Sequence, residues 1–162
     1  MVCLGNICRS PLAEGILRKK IEDQNLDWKV DSAGTGAWHV GQNPDVRAIA
    51  IAKKYGVDIS KLLARQIRKK DFQEFDFIFV MDKENYGNVV SMSSVPEEKN
   101  KVAMLMNIMK KGLNTNVPEP WYDDDLFDDV FKMIDGACER LMKNLEETRS
   151  VHTSRHTMSE LK

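Results

Sequence analysis

The chain has 162 residues, 42% of them apolar and 30% charged, which suits one soluble domain with a single core. Lysine and arginine number 24 against 25 aspartates and glutamates, so a net charge of -1 excludes a protein that coats nucleic acid through bulk positive charge. No apolar run approaches the about 20 residues needed to span a bilayer, and three cysteines are too few and too odd for a disulfide framework. The amino terminus lacks the basic start and apolar stretch of a signal peptide, so the expectation is a reducing, cytoplasmic setting without membrane or nucleic-acid partners.

In chain order, Met1-Val2 is all that precedes Cys3, so the first strand is expected to be short or its beginning missing. Ser10-Pro11 reads as a helix start, with Ser10 as N-cap and Leu12, Ile16, Leu17 and Ile21 at helical spacing. Residues 28–32 read as a strand closed by Gly34 and Gly36. A second helix is expected from Asn43-Pro44, with Val46, Ile49 and Ala50 inward and a stop at Gly56. The polar stretch 60–76 should hold a short helix, and the continuous apolar run 77–81 a strand buried on both faces. A helix after Asp82, a strand at 101–106 and a loop at 107–123 follow. Leu126 to Leu145 carries the apolar stripe of the longest helix, and the polar tail after Thr148 is expected to fray. Strands alternating with helices imply an α/β domain around a parallel sheet, residues 1–147, with a tail at 148–162.

The chemistry concentrates in Cys3-Leu4-Gly5-Asn6-Ile7-Cys8-Arg9-Ser10-Pro11. A helix start offers unpaired N–H groups and the positive end of its dipole, both suited to an anion. Gly5 and Asn6 permit unusual backbone angles, so successive amides of residues 4–8 can turn inward as a nest. Arg9 adds a planar fork that holds two oxygens at once, and the same amides favour Cys3 as a thiolate nucleophile. Taken singly, Cys3 and Cys8 would pass for small core residues and Arg9 for a surface charge. A zinc site is discounted, since Cys3, Cys8, Cys138 and His39 lack compact ligand spacing.

Val2 to Glu14 resembles the phosphate-binding loop of the low-molecular-weight protein tyrosine phosphatases. The blocks 30–35, 43–47, 64–67, 80–82 and 120–123 follow in that family's order. The resemblance implies a three-layer α/β fold, a four-stranded parallel sheet flanked by helices with the loop between the first strand and first helix. It implies Cys3 as nucleophile forming a phosphocysteine, Arg9 as phosphoryl clamp, and Ser10, Asn6 and Ser32 as supports of the loop. It implies no metal or cofactor, phosphotyrosine proteins as substrates, phosphate or a similar oxyanion in the loop, and a monomer. Where the family places the general acid before a proline and two aromatics, this chain has Glu119-Pro120-Trp121-Tyr122, one methylene longer than the usual aspartate. Asp123 is the competing acid, although acidic residues ahead of an apolar helix usually cap it. Trp38, Trp121 and Tyr122 are the expected walls of the substrate slot. Cys8 is the expected redox partner of Cys3, and His39 reads as a solvent-exposed loop residue. Ile7 stands where related arginine phosphatases carry threonine, and Leu62 where many relatives carry a histidine that supports Asn6. The alternatives on this loop are an arginine phosphatase, a thiol-dependent arsenate reductase and an inactive phosphotyrosine-binding module.

Overall fold

The computed structural model describes the backbone of residues 1–159 and the side chains of residues 1–148. Four short strands, β1 (Val2–Cys3), β2 (Ala33–Gly34), β3 (Ile78–Val80) and β4 (Val102–Met104), form one parallel sheet in the order β2-β1-β3-β4. Val2 lies opposite both Ala33 and Val80, which puts the two residues of β1 in the middle of the sheet. The chain order reverses beside β1, the place where open α/β sheets form a crevice at the carboxyl ends of their strands.

Alternation along the strands divides the interior into two cores. Cys3, Phe79 and Met81 pack with α1 (Arg9–Asp23), α2 (Val46–Lys54) and α6 (Leu126–Ser159). Val2, Ala33, Ile78, Val80, Val102 and Met104 pack on the other face with Phe72 of α3 (Asp71–Glu74) and Val89 of α4 (Lys83–Ser91). The short α5 (Pro96–Lys99) precedes β4. This is the expected three-layer α/β arrangement.

Three local expectations are corrected. Residues 28–32 are not a strand: pairing is confined to Ala33 and Gly34, because β1 offers only Val2 and Cys3 as partners. α1 begins one residue before Ser10, with Cys8 at the cap position and no side-chain cap bond, which places Ser10 inside the first turn. α2 begins at Val46, capped by the Asp45 carboxylate, which accepts from the Arg47 N–H at 2.8 Å. That register turns Val46 (78% exposed) and Ala50 outward and buries Ala48 and Ala52, while Ile49, as expected, and Ile51 pack half-buried against the first core. Gly56, at φ 75°, ends the helix as expected.

α6 lays Val130, Ile134, Ala137, Cys138 and Leu141 into the first core. Its backbone continues past the 147 boundary to Ser159, and the end of the tail, residues 160–162, lies outside the described residues. No helix among the described residues is long and apolar enough to cross a membrane.

Candidate active site

Residues 4–8 leave the carboxyl end of β1 and run directly into α1. Asn6 takes the left-handed conformation at φ 57°, whereas Gly5 does not; Gly5 serves by its lack of a side chain, since a Cβ there would lie 3.0 Å from Cδ2 of His39. The turn points the Asn6 N–H at the Cys3 sulfur, 3.3 Å away, and the Ser10 hydroxyl lies 3.0 Å from the same sulfur. Asn6 is locked by its side chain: Nδ2 donates to Ser10 Oγ and Ser32 Oγ, both at 2.9 Å, and Oδ1 accepts from the Arg65 N–H at 2.9 Å. Ser32 donates in turn to the buried Glu14 carboxylate, which Arg18 also reaches. The Arg65 backbone bond gives Asn6 a partner although Leu62 brings no histidine.

Arg9 is 2% exposed. Its Nη1 donates to Asp82 Oδ2 at 2.7 Å and to the Val117 carbonyl at 3.0 Å, and its Nη2 donates to Glu119 Oε2 at 2.7 Å. Among the described residues Nε has no partner. A buried guanidinium donor without an acceptor is costly, and an oxyanion oxygen is the acceptor that a fork of this shape takes. Burial alone would depress the Arg9 pKa, but Cys3, Glu119 and the bonded Asp82 outweigh it and raise it. The clamp is therefore permanently charged. Burial, with Asp45, Glu119 and Cys3 nearby, pushes the Cys8 thiol up, so Cys8 stays neutral.

A cleft of about 260 Å³ opens over the loop. Cys3, Leu4, Gly5, Ile7 and Cys8 line its floor, and Trp38, His39, Glu119, Trp121 and Tyr122 its sides. Trp38 is 71% exposed and folds over Gly36, where a Cβ would fall 1.8 Å from the ring. Glu119 opens the 3-10 turn Pro120–Tyr122, with Oε1 accepting from the Trp121 N–H at 3.2 Å. The competing carboxylates have other partners: Asp123 accepts from the Asp125 N–H at 3.0 Å, and Asp124 pairs with Arg47.

The structure thus gathers Cys3, Leu4, Gly5, Ile7, Cys8, Glu119, Trp38, Trp121 and Tyr122 around one cleft. Asn6 and Ser10 are buried against the Cys3 sulfur, Arg9 is buried against Glu119, and Ser32 backs Asn6. His39 is corrected: it is half-buried on the cleft wall, its Nδ1 2.9 Å from Gln42 Oε1, rather than a solvated loop residue. Sequence reasoning assigned no role to Asp82, Glu14 or Arg47. Asp82 could have been found as the carboxylate that follows β3 at the crevice end of the sheet. Glu14 is an acid amid the apolar residues Leu12, Ala13, Ile16 and Leu17, a position that demands a partner. Among the described residues no group of three or more histidines, cysteines and carboxylates is placed to hold a metal ion.

A cysteine beneath a helix start, a buried arginine fork and a carboxylate across an aromatic cleft, set at the switch point of a parallel sheet, define the class of cysteine-dependent phosphatases. The family model described as low molecular weight phosphotyrosine protein phosphatase matches residues 1–151, and the chain belongs to that family. It is 35% identical to a low molecular weight protein-tyrosine-phosphatase of Bacillus subtilis over 93% of this chain and 96% of the relative. It is 35% identical to the human low molecular weight phosphotyrosine protein phosphatase over 88% of this chain and 91% of the relative. A protein tyrosine phosphatase of Entamoeba histolytica, crystallised with Hepes in its active site, superposes with TM-score 0.84 at 36% identity, covering 91% of this chain and 96% of that one. A Drosophila arginine phosphatase superposes with TM-score 0.82 at 34% identity, covering 89% and 94%.

Proposed function

We propose that the protein hydrolyses phosphotyrosine on protein substrates through a phosphocysteine at Cys3. The observation that carries this reading is the Nε–Nη2 edge of the buried Arg9, with Nε unpartnered and Glu119 on Nη2, in the same loop whose Cys3 sulfur meets the Asn6 N–H and the Ser10 hydroxyl. The phosphoryl group seats on the loop amides and on Arg9 Nε and Nη2, displacing Glu119 from Nη2 and freeing that carboxyl to face the leaving oxygen. The Cys3 thiolate attacks phosphorus, the bond from phosphorus to the phenolic oxygen breaks, and Glu119 delivers its proton to that oxygen so that neutral tyrosine leaves. In the second step Glu119 takes a proton from water attacking the phosphocysteine, the phosphorus–sulfur bond breaks, and phosphate departs. The returning thiolate is received by the Ser10 hydroxyl and the Asn6 N–H. The amides and the guanidinium supply the charge stabilisation of both steps.

Trp38, Trp121 and Tyr122 supply flat walls for an aryl ring, the group that phosphotyrosine carries and phosphoserine lacks. The apolar Ile7 on the cleft floor favours the aryl ester over phosphoarginine. The assembly of the site from one chain supports a monomer, and three free cysteines support a reducing, cytoplasmic setting. Residues 1–147 form the phosphatase unit on this reading, with 148–162 as a tail outside it.

The test is kcat/KM on a phosphotyrosine peptide, a phosphoarginine peptide, phenyl phosphate and nitrophenyl phosphate. The phosphotyrosine peptide should be preferred, and Cys3→Ser and Arg9→Lys should each abolish turnover. Glu119→Gln should slow phenyl phosphate far more than nitrophenyl phosphate, because a good leaving group departs unprotonated. Asp123→Asn should slow both equally and slightly. Activity surviving in Cys3→Ser, or leaving-group dependence that tracks Asp123 instead of Glu119, would overturn the assignment.

A further inference from the structure

We propose that Arg47 is a positioning residue for the general acid, tying the loop that carries Glu119 to the loop that carries Cys3. The inference rests on Glu119 being that acid, and begins at the amino end of α2. The Asp45 N–H donates to the Ile7 carbonyl at 2.8 Å, which pins the start of the helix to the phosphate loop. The Asp45 carboxylate accepts three bonds from Arg47: the backbone N–H at 2.8 Å, Nε at 2.9 Å and Nη2 at 2.9 Å. One edge of the guanidinium is thereby fixed to α2.

The remaining nitrogen, Nη1, reaches the other way. It donates to the Trp121 carbonyl at 3.2 Å and to the Asp124 carboxylate. The guanidinium also lies 5.4 Å from the centre of the Trp121 ring and 4.8 Å from that of Phe127, in the first turn of α6. Trp121 is the residue whose N–H holds Glu119 Oε1, so fixing Trp121 fixes the acid. Upstream, the Val117 N–H donates to the Met81 carbonyl at 2.8 Å and its own carbonyl accepts from Arg9. Glu119 is therefore held two residues before by the sheet and two residues after by Arg47. A lysine has no second edge and cannot join Asp45 to Trp121 in this way.

The experiment uses the full chain and kcat/KM for phenyl and nitrophenyl phosphates, which reports the first chemical step. A displacement of about 1 Å at a reacting group costs on the order of a hundredfold, so Arg47→Met should lower the phenyl ester by roughly ten- to a hundredfold and the nitrophenyl ester by less than about threefold. It should also flatten the alkaline limb of the pH profile for the phenyl ester. Arg47→Lys should recover part of the loss, and Asp124→Asn, which removes one contact without touching the core, should show the same signature more weakly. In a Glu119→Gln background Arg47→Met should add no leaving-group dependence. If Glu119→Gln itself shows no such dependence, the acid assignment fails. If Glu119→Gln shows it while Arg47→Met and Asp124→Asn slow both esters alike or neither, the positioning inference is overturned.

Discussion

Gly34→Ala places one methyl group under the phosphate loop. Gly34 is the last residue of β2, opposite Cys3, and its N–H and carbonyl are both engaged, with the Arg65 carbonyl and the Ile67 N–H at 2.8 Å each. A Cβ there would lie 2.7 Å from the Leu4 carbonyl oxygen and 3.1 Å from both the Asn6 nitrogen and the Gly5 carbonyl carbon, all of them loop backbone. Ordinary contact begins at 3.4 Å, so the Leu4 carbonyl must retreat by 0.7 Å, the difference between 3.4 and 2.7 Å. The retreat stretches the bond it accepts from the Gly36 N–H, now 2.9 Å. Overpacking of this kind costs about 1–3 kcal/mol of stability. Since about 1 Å of misplacement costs on the order of a hundredfold, the loss in kcat/KM should fall between roughly ten- and a hundredfold. The measurements are kcat/KM on nitrophenyl phosphate, inhibition by inorganic phosphate, and urea unfolding. Gly87→Ala is the control: it sits exposed in α4 with nothing within 4 Å, and should gain about 0.5–1 kcal/mol with activity unchanged. A Gly34→Ala enzyme that keeps kcat/KM within about threefold and binds phosphate normally would show that the loop yields freely, and the argument from its geometry would fail.

Two further predictions concern the other cysteines. Peroxide should convert Cys3 to a sulfenic acid that Cys8 captures with loss of water, giving a Cys3–Cys8 disulfide and inactivation reversed by thiols. Because burial keeps Cys8 protonated, capture should quicken with rising pH, and Cys8→Ala that recovers from peroxide as fully as the parent would dismiss the protective role. Burial pushes the Cys138 thiol up to about 12 against an ordinary 9.0, so its contribution to stability is complete below pH 9.0 and is lost as pH rises toward 12. Unfolding free energy should therefore decline less steeply across that window in Cys138→Ala than in the parent. Parallel declines would show that Cys138 titrates alike in both states.

The loop was legible because its parts are contiguous: cysteine, turn residues, arginine and helix start fall within nine positions, and their joint chemistry does not wait on tertiary contacts. What escaped depends on residues far apart in the chain. Asp82 meets Arg9 across 73 positions and Val117 meets it across 108, and no local pattern announces either contact. Residues 28–32 carry strand-like composition, yet a strand needs a neighbour and β1 ends after pairing two residues. The inward face of α2 was misplaced at Val46 and Ala50 because Asp45, rather than Asn43, sets where the helix begins. Ser10 had the composition of a cap, and it was the resemblance rather than the local pattern that pointed its hydroxyl inward, where it meets Cys3 and Asn6.

Arg9 is already immobile before any ligand arrives, its Nη1 held by Asp82 and the Val117 carbonyl. A free arginine carries about 2 kcal/mol of rotamer entropy, and here that loss belongs to folding rather than to binding. On the proposed mechanism the resulting affinity is blind to history: the rigid fork grips the phosphate it has just released as readily as the ester it is about to cleave. Turnover should consequently slow as product accumulates, and the enzyme's pace in a phosphate-rich solution becomes a contest between inorganic phosphate and the aromatic walls that only the ester can use.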